Sequence, residues 1–437
     1  MDQAMSKSLV SGGSSGVLYT DRRDFYIKPN IVKELWTDVA PFLTVVANQG
    51  TISGMADPTF KMFEHKNPWQ KQCFSIDDAD EGDNVLEAGN AGSAQQFKID
   101  GVTGITKGKN LVGLEVEIWN SAESTKKGVA LIVAYDEAQG VSFKNLHKSN
   151  IELENNDKCY IIGNAQAEGS LSPEAWADDL SIVYNSTQIF KTPVQITGTL
   201  LQASLRGESK ELARLRDQKS SEHKIQKERA FLFGSNPKGI SGGFANLEDI
   251  VDANGMPIRS TMGIVPALEQ HGVASGYEQN LFTASDGSDI DDYPKFVKAM
   301  EKIFQYVPTA GIKRAFVGAG ALGYFSMQGG SAGGWSQASG WTVNLGDMKR
   351  DALGFNYRTL ETPHGVLQLI PTPALRGPYN KHMLVVSDEN LFHAQYREPK
   401  FEASIQPNDA DYVKDQYFSD EGIGVSQIES HALMVTP

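Results

Sequence analysis

The residues whose types and spacing could carry chemistry are few. Gly318-Ala319-Gly320-Ala321-Leu322-Gly323 has the G-x-G-x-x-G spacing, which binds dinucleotides when it joins a strand to a helix, because glycine lets a pyrophosphate approach the helix N-terminus. The local pattern meets that condition, since "KRAFVGAG" reads as strand into helix. The wider pattern does not. A ribose-binding Asp or Glu should end a second strand about 20 residues on. That position falls after a glycine-serine stretch, near Trp341 to Asp347, with no clear βαβ unit. A tight strand-to-helix turn accounts for the glycines. Gly329-Gly330-Ser331-Ala332-Gly333 has the G-x-S-x-G spacing, but a nucleophile elbow needs a strand before the serine and a helix after it. Ser331 lies inside a run of small residues, "GGSAGGWSQASG", that reads as a loop.

The remaining chemistry-bearing residues are scattered. The eight histidines form no H-E-x-x-H and no Cys/His cluster. His364, His382 and His393 read as strand or turn residues. The runs "DDADEGD" (Asp77 to Asp83) and "DGSDIDD" (Asp286 to Asp292) resemble calcium loops by composition. The second lacks the glycine and terminal glutamate spacing of an EF-hand, and both read as solvated turns. Cys73 and Cys159 lack metal-ligand spacing and read as small buried hydrophobes in a reducing compartment. No Walker loop or kinase motif is present. These residues assign no catalytic group, no cofactor-binding group and no metal ligand. Nucleotide binding through Gly318 to Gly323 stays open as an alternative.

The elements that would position such residues point elsewhere. The chain has 437 residues, enough for two or three domains. It is 40% hydrophobic and 22% charged, with 54 acidic against 40 basic residues and a net charge of −14. Polyphosphate attraction needs clustered Lys and Arg, so the totals weigh against a nucleic-acid binder. No apolar run reaches the ~18 residues of a membrane span, and "MDQAMSKSLVSGGSSG" has no apolar signal-peptide core. Residues 1 to about 30 are too polar to fold alone, and a neighbouring subunit is the economical partner for them. "NIVKELWTDVAPFLTVV" reads as an amphipathic helix with Ile31, Leu35 and Trp36 on one face.

From about Phe97 to Ile162 the pattern is short strands and turns, a small β-barrel or sandwich inserted between flanking segments. "DDLSIVYNSTQIFKTPVQITG" reads as extended chain. Arg206 to Gly234 follows as one long helix, with Glu211–Arg214, Lys219–Glu222 and Lys224–Glu228 at pairing distance along the sequence. Its apolar seam (Leu205, Leu212, Leu215, Ile225, Leu232, Phe233) has a polar middle. A helix this polar bridges solvent, stabilises itself by its own pairs, or lies along an interface. Beyond it the chain becomes mixed α/β. Phe296, Val297, Met300, Ile303 and Phe304 form a core-facing helical stripe. "GVLQLIPTPAL" and "KHMLVVSDENLFHAQY" read as strands. "KDQYFSDEGIGVSQIESHALMV" reads as a closing hairpin turning near Glu421-Gly422.

Three stretches carry a resemblance: "YIIGNAQAEGS" (Tyr160 to Ser170), "TQIFKTPVQITGT" (Thr187 to Thr199) and "ELARLRDQKSSEHKIQKERAFLFG" (Glu211 to Gly234). In this order of parts the chain resembles the major capsid proteins of tailed bacteriophages, with the Hong Kong 97-type fold, and among them members with a β-barrel inserted in the extension loop. The resemblance implies an α+β fold. Its parts would be an N-terminal arm at 1–60 and an extension loop at 61–180 with the barrel at about 93–165. A peripheral domain would take 181–245 and 391–437, with a spine helix at about 206–234, and an axial domain 246–390. It implies a non-enzymatic subunit that self-assembles into hexamers and pentamers of an icosahedral virion shell. That shell would be built in the host bacterial cytoplasm around double-stranded DNA, which is enclosed without sequence-specific binding. Portal, separate scaffolding and decoration proteins would be partners. Some relatives carry a long cleaved scaffolding segment, and no such charged helical stretch precedes residue 30 here. Some relatives crosslink a lysine to an asparagine. Lysines at 107, 109, 126 and 127 exist here, but no motif selects a pair. An encapsulin-like cellular compartment shares the fold and is the alternative shell, against which the large loop insertion argues.

Overall fold

A computed structural model describes residues 40–64, 73–77, 85–88, 95–103, 111–136, 140–169, 180–202, 211–236, 251–274, 279–283, 289–306, 311–328 and 346–437. The chain divides into two compact units, residues 62–183 and residues 1–61 with 184–437. The boundary falls inside β2 (Thr59–Glu64) and β12 (Ser181–Ser186), which pair with each other.

The unit 62–183 is built on one seven-stranded antiparallel sheet. In order across it lie β5 (Gln95–Phe97), β9 (Gly140–Asn145), β8 (Lys126–Asp136), β7 (Leu114–Trp119), β11 (Lys158–Asn164), β3 (Cys73–Ile76) and β6 (Ile99–Thr103). Period-two alternation sends Val116 and Ile118 of β7, Ala130 and Ile132 of β8 and Val141 and Phe143 of β9 into one core with Phe74 and Cys159. A small pair, β4 (Val85–Leu86) and β10 (Ile151–Glu152), adds Leu86 and Ile151 to it. The two edge strands, β5 and β6, are separated in sequence by Lys98 alone. One run of chain therefore pairs with β9 at one edge and with β3 at the other. The sheet includes β3, which precedes residue 93.

The other unit has two sheets. The first is four-stranded, in the order β1 (Thr51–Ser53), β20 (Leu391–Glu402), β21 (Tyr412–Val425), β13 (Gln188–Thr197). After β13 comes a short helix, α2 (Gly198–Gln202), and then the long α3 (Glu211–Phe233), which packs along β13 and β21. The first turn of the long helix expected from Arg206 lies outside the described residues. Of the helix expected over residues 30–46, the described part is α1 (Pro41–Gln49), which starts at Pro41, with Ala40 outside the helix. Pro41 opens it, where a missing N–H costs nothing, and Phe42, Val45 and Val46 are buried. Ile31, Leu35 and Trp36 lie outside the described residues.

The second sheet is mixed and seven-stranded: β14 (Leu281–Phe282), β22 (Ala432–Val435), β19 (His382–Val386), β15 (Ile312–Val317), β18 (Gly365–Pro371), β17 (Asn356–Thr362), β16 (Lys349–Arg350). It is apolar on both faces. Phe316, Ile370, Leu384 and Leu433 turn toward α1, α3 and α4 (Ile264–His271). Ala315, Val317, Leu369, Met383, Val385 and Met434 turn toward α5 (Tyr293–Ile303) and α6 (Ala319–Gln328). The stripe expected on α5 is in place: Phe296, Met300, Ile303 and Phe304 are buried and Val297 is half-buried.

One expectation is corrected here. There is no turn at Glu421-Gly422; β21 runs straight through it, and β22 belongs to the other sheet. The glycines that suggested a turn mark close approach instead. A Cβ on Gly424 would lie 2.1 Å from the Phe392 ring, and one on Gly422 would lie 2.9 Å from the Ser186 carbonyl oxygen. The C-terminal strand β22 lies in the seven-stranded sheet, between β14 and β19.

Candidate assembly site

The glycine motif is occupied by the chain itself. As expected, β15 leads through Gly318 into α6. The backbone N–H of Gly320 donates to both the carbonyl and the side-chain oxygen of Asn380, each at 3.0 Å, and that of Ala321 donates to the same carbonyl at 3.1 Å. These are the first donors of the helix, the groups a phosphate would need. A Cβ at Gly318 would lie 2.2 Å from the Asn380 carbonyl oxygen, so the glycine makes room for backbone. Ser331 and its loop lie outside the described residues. Of "DGSDIDD", Asp292 caps α5 by accepting from the Tyr293 N–H, and Asp291 pairs with Lys295 at 2.8 Å. "DDADEGD" is described only at Asp77. Cys73 and Cys159 are both free thiols. Burial pushes both thiols up, that of Cys159 furthest. His364 sits in the turn between β17 and β18, His382 in β19 and His393 in β20. Among the described residues no cluster of three or more His, Cys, Asp or Glu has metal-binding geometry, and no helix is long and apolar enough to cross a membrane.

The organised polar chemistry lies between α3 and β21. Alternation puts Asp415, Tyr417, Ser419 and Glu421 on one face of β21. Arg216, His223 and Lys227 follow at helical spacing on the face of α3 laid against them. Arg216 to Lys227 spans about 16 Å along the helix and Asp415 to Glu421 about 20 Å along the strand, so the two ladders run nearly in step. Arg216 donates to the fully buried Asp415 through Nε at 2.8 Å and Nη2 at 2.6 Å. The Tyr417 hydroxyl donates to the Arg216 carbonyl at 3.1 Å. His223 bridges Thr192 Oγ1 at 2.9 Å and Ser419 Oγ at 3.1 Å. Glu421, fully buried, holds Lys227 Nζ at 3.1 Å and His393 Nε2 at 3.2 Å.

Burial decides the protonation of this layer. It would raise the Glu421 carboxyl, but the His393 hydrogen bond and the Lys227 charge outweigh it and hold the group below its ordinary range. Burial and the Lys227 charge push His223 down to about 4, so its ring is neutral at pH 7. Burial pushes the Glu228 carboxyl up to about 8 against a hydrogen bond from the Phe42 N–H. It therefore keeps its proton at neutral pH. The pairing of Lys224 with Glu228 expected from the sequence is replaced by this contact, whereas Glu211–Arg214 and Lys219–Glu222 form. The apolar seam expected on α3 is buried only at its end, at Leu232. Leu212, Leu215, Ile225 and Phe233 are half-buried. The sequence reading missed that the buried stripe is polar. Its signal was the match between Arg216, His223 and Lys227 at helical spacing and the alternating "DQYFSDE" of β21.

Outside this layer the chain exposes apolar side chains on turns and edges. Val251, Met256 (63% exposed) and Ile258 sit on one small turn closed by a bridge from Val251 to Pro257. Met348 borders the edge strand β16, Met327 lies near the end of α6, and Phe63 stands 69% exposed in β2.

A family model described as SU10 major capsid protein matches residues 35–436. A search of curated proteins found no match. Among solved structures the chain is similar to the capsid of a native GTA particle, at 10% identity over 98% of this chain and 97% of that one, TM-score 0.41. It is similar to a chain of Microbacterium phage Oxtober96 at 10% identity over 96% and 95%, TM-score 0.39. It is similar to the SrpI encapsulin of Synechococcus elongatus at 8% identity over 59% and 76%, TM-score 0.36. Similarities this weak leave the assignment to the family match.

Proposed function

The chain belongs to the SU10 major capsid protein family, and from that premise we propose how the subunit is deployed. It is a structural protein of a phage head, and membership brings with it the Hong Kong 97-type fold expected from the order of parts. Copies gather into hexameric and pentameric capsomers that close an icosahedral shell in the host cytoplasm. The shell encloses double-stranded DNA without reading its sequence, and portal, scaffolding and decoration proteins complete it. The subunit performs no catalysis. The observation that carries the reading is the family match over residues 35–436. The ionic layer between α3 and β21 supports it, because a helix locked in register along a strand gives each copy the same rigid spine.

The domain plan follows the same reading. Residues 1–60 are an arm and 61–180 an extension loop. Residues 181–245 and 391–437 form the peripheral part around α3, and 246–390 the axial part, to which β22 adds a strand. The one-residue link at Lys98 between the two edge strands supports reading the sheet in 62–183 as a small inserted barrel. Negative-stain microscopy and sedimentation of the purified chain test the function. Capsomers, sheets or closed shells are expected. A discrete small oligomer that binds a dinucleotide would overturn it. Shells that enclose a protein cargo and no DNA in infected cells would favour the encapsulin-like alternative.

A further inference from the structure

The face of the four-stranded sheet turned away from α3 has its own composition. Strand register places Lys191 of β13, Phe418 of β21 and Lys400 of β20 in one row, and Ile189, Asp420 and Arg397 in the next. The Phe418 ring is 5% exposed and ringed by cations, with Arg397 at 4.4 Å, Lys400 at 5.4 Å and Lys191 at 5.9 Å from its centroid. Asp420, fully buried beneath them, accepts from Arg397 at 3.0 Å and Arg259 at 2.9 Å. Lys414, opposite Gln195, continues the face, and Glu402 pairs with Lys400. Lys191, Arg259, Arg397, Lys400 and Lys414 thus stand against two carboxylates, Asp420 and Glu402, in a chain that is acidic overall. The Arg397 and Lys400 side chains remain 48% and 57% exposed, and Ile189, Lys191, Pro193 and Gln195 are all exposed.

We propose that this sheet face is a docking surface for a carboxylate-rich surface of a second copy of the chain. The inference rests on the shell reading above. Each copy carries a net charge of −14, so copies repel at long range, and a contact that brings opposite charges together offsets that repulsion. This face is a local reversal of sign. The acidic excess of the chain, 54 Asp and Glu against 40 Lys and Arg, supplies the carboxylates of the facing copy. The layout favours protein over polyphosphate. Carboxylates are interleaved with the cations, Arg397 lies 4.4 Å from the Phe418 ring centroid, and Arg397 and Arg259 both pair with the buried Asp420; arginine and aromatic side chains are enriched at protein interfaces. A phosphate track needs cations free of such partners.

The test uses the full chain with Lys191→Glu and Lys400→Glu, two exposed lysines that do not touch Asp420. Particles are counted by sedimentation and microscopy, with circular dichroism as the check on folding. The expected result is a loss of closed particles of at least about tenfold at low salt, with native dichroism. Neither chain should shift a random-sequence DNA duplex. If the double reversal alters the dichroism, Lys191→Gln with Lys400→Gln is read instead, with a loss of about threefold expected. Equal particle yields from wild type and folded variant overturn the docking surface. So does DNA binding by the wild-type subunit that the variant loses, which would make the face a nucleic-acid contact. Failure of the wild-type chain to form any particle overturns the shell reading itself, and the docking surface with it.

Discussion

Lys227 and Glu421 show how much rests on single polar residues. Glu421 is fully buried and keeps its charge because Lys227 and His393 face it. Removing one partner leaves an uncompensated buried charge, which costs about 3–5 kcal/mol. Lys227→Met should therefore lower the urea midpoint sharply. Lys224→Met, one turn away and exposed, should not. Glu228 gives a pH signature. Its folded value of about 8 lies above the ordinary carboxylate value of 4.5, so folding favours the protonated form. That contribution is full below pH 4.5 and lost as pH rises toward 8, amounting to on the order of 5 kcal/mol. Glu228→Gln mimics the protonated group. Relative to the wild type it should gain stability between pH 5 and 8, as read by denaturant titration at both ends. His223 works in the opposite sense. Its folded value of about 4 lies below 6.5, so its contribution is full above pH 6.5 and lost as pH falls through 4. A wild type whose stability relative to Glu228→Gln does not change with pH would contradict the buried, protonated assignment.

At the scale of elements, α5 and β21 were legible to different degrees. The apolar stripe of α5 repeats at helical spacing, and packing followed it. Ile303→Ala should cost about 2–5 kcal/mol and lower soluble yield. Lys302→Ala loses the 2.9 Å hydrogen bond from Lys302 Nζ to Gln279, about 1 kcal/mol. In β21 the glycines misled, because glycine serves turns and close packing alike. Gly424 admits no side chain beneath Phe392, so Gly424→Val should abolish soluble protein, whereas Gly354→Ala, at an open turn, should cost far less. Comparable yields from both would mean that the Phe392 ring moves freely aside. The polar side of α3 was legible as charge spacing along the helix. That the charges are buried was not, because burial is decided by a strand some 200 residues away in sequence.

For the whole molecule, the division at 62 and 183 makes a direct prediction. Residues 62–183 have their own core of Phe74, Ile118, Ile132, Val141 and Phe143, so the excised fragment should fold and melt cooperatively by circular dichroism. A fragment without a transition would show that its core depends on the rest of the chain. Deleting residues 1–28 should leave the subunit's dichroism native-like while closed particles become few, because the segment is too polar to add to a core. Sedimentation velocity reads both. Full particle yields from the truncated chain would make the arm a passenger.

What the sequence by itself determined were the features set by local periodicity and order. These include the short strands β7, β8 and β11, the extended β13, the long α3, the α5 stripe and the strand-to-helix turn at Gly318. Each depends on residues within a few positions of one another, where spacing alone dictates which face is buried. The tertiary structure decided everything that required distant segments to meet. It carried β21 through Glu421-Gly422 into a central position, sent β22 to the other sheet, and placed Asn380 on the N–H groups of the glycine motif. It also turned a charged helix face into a buried ionic layer. A glycine, or a charge at helical spacing, has several uses of similar local cost, and only the atoms packed against it select one.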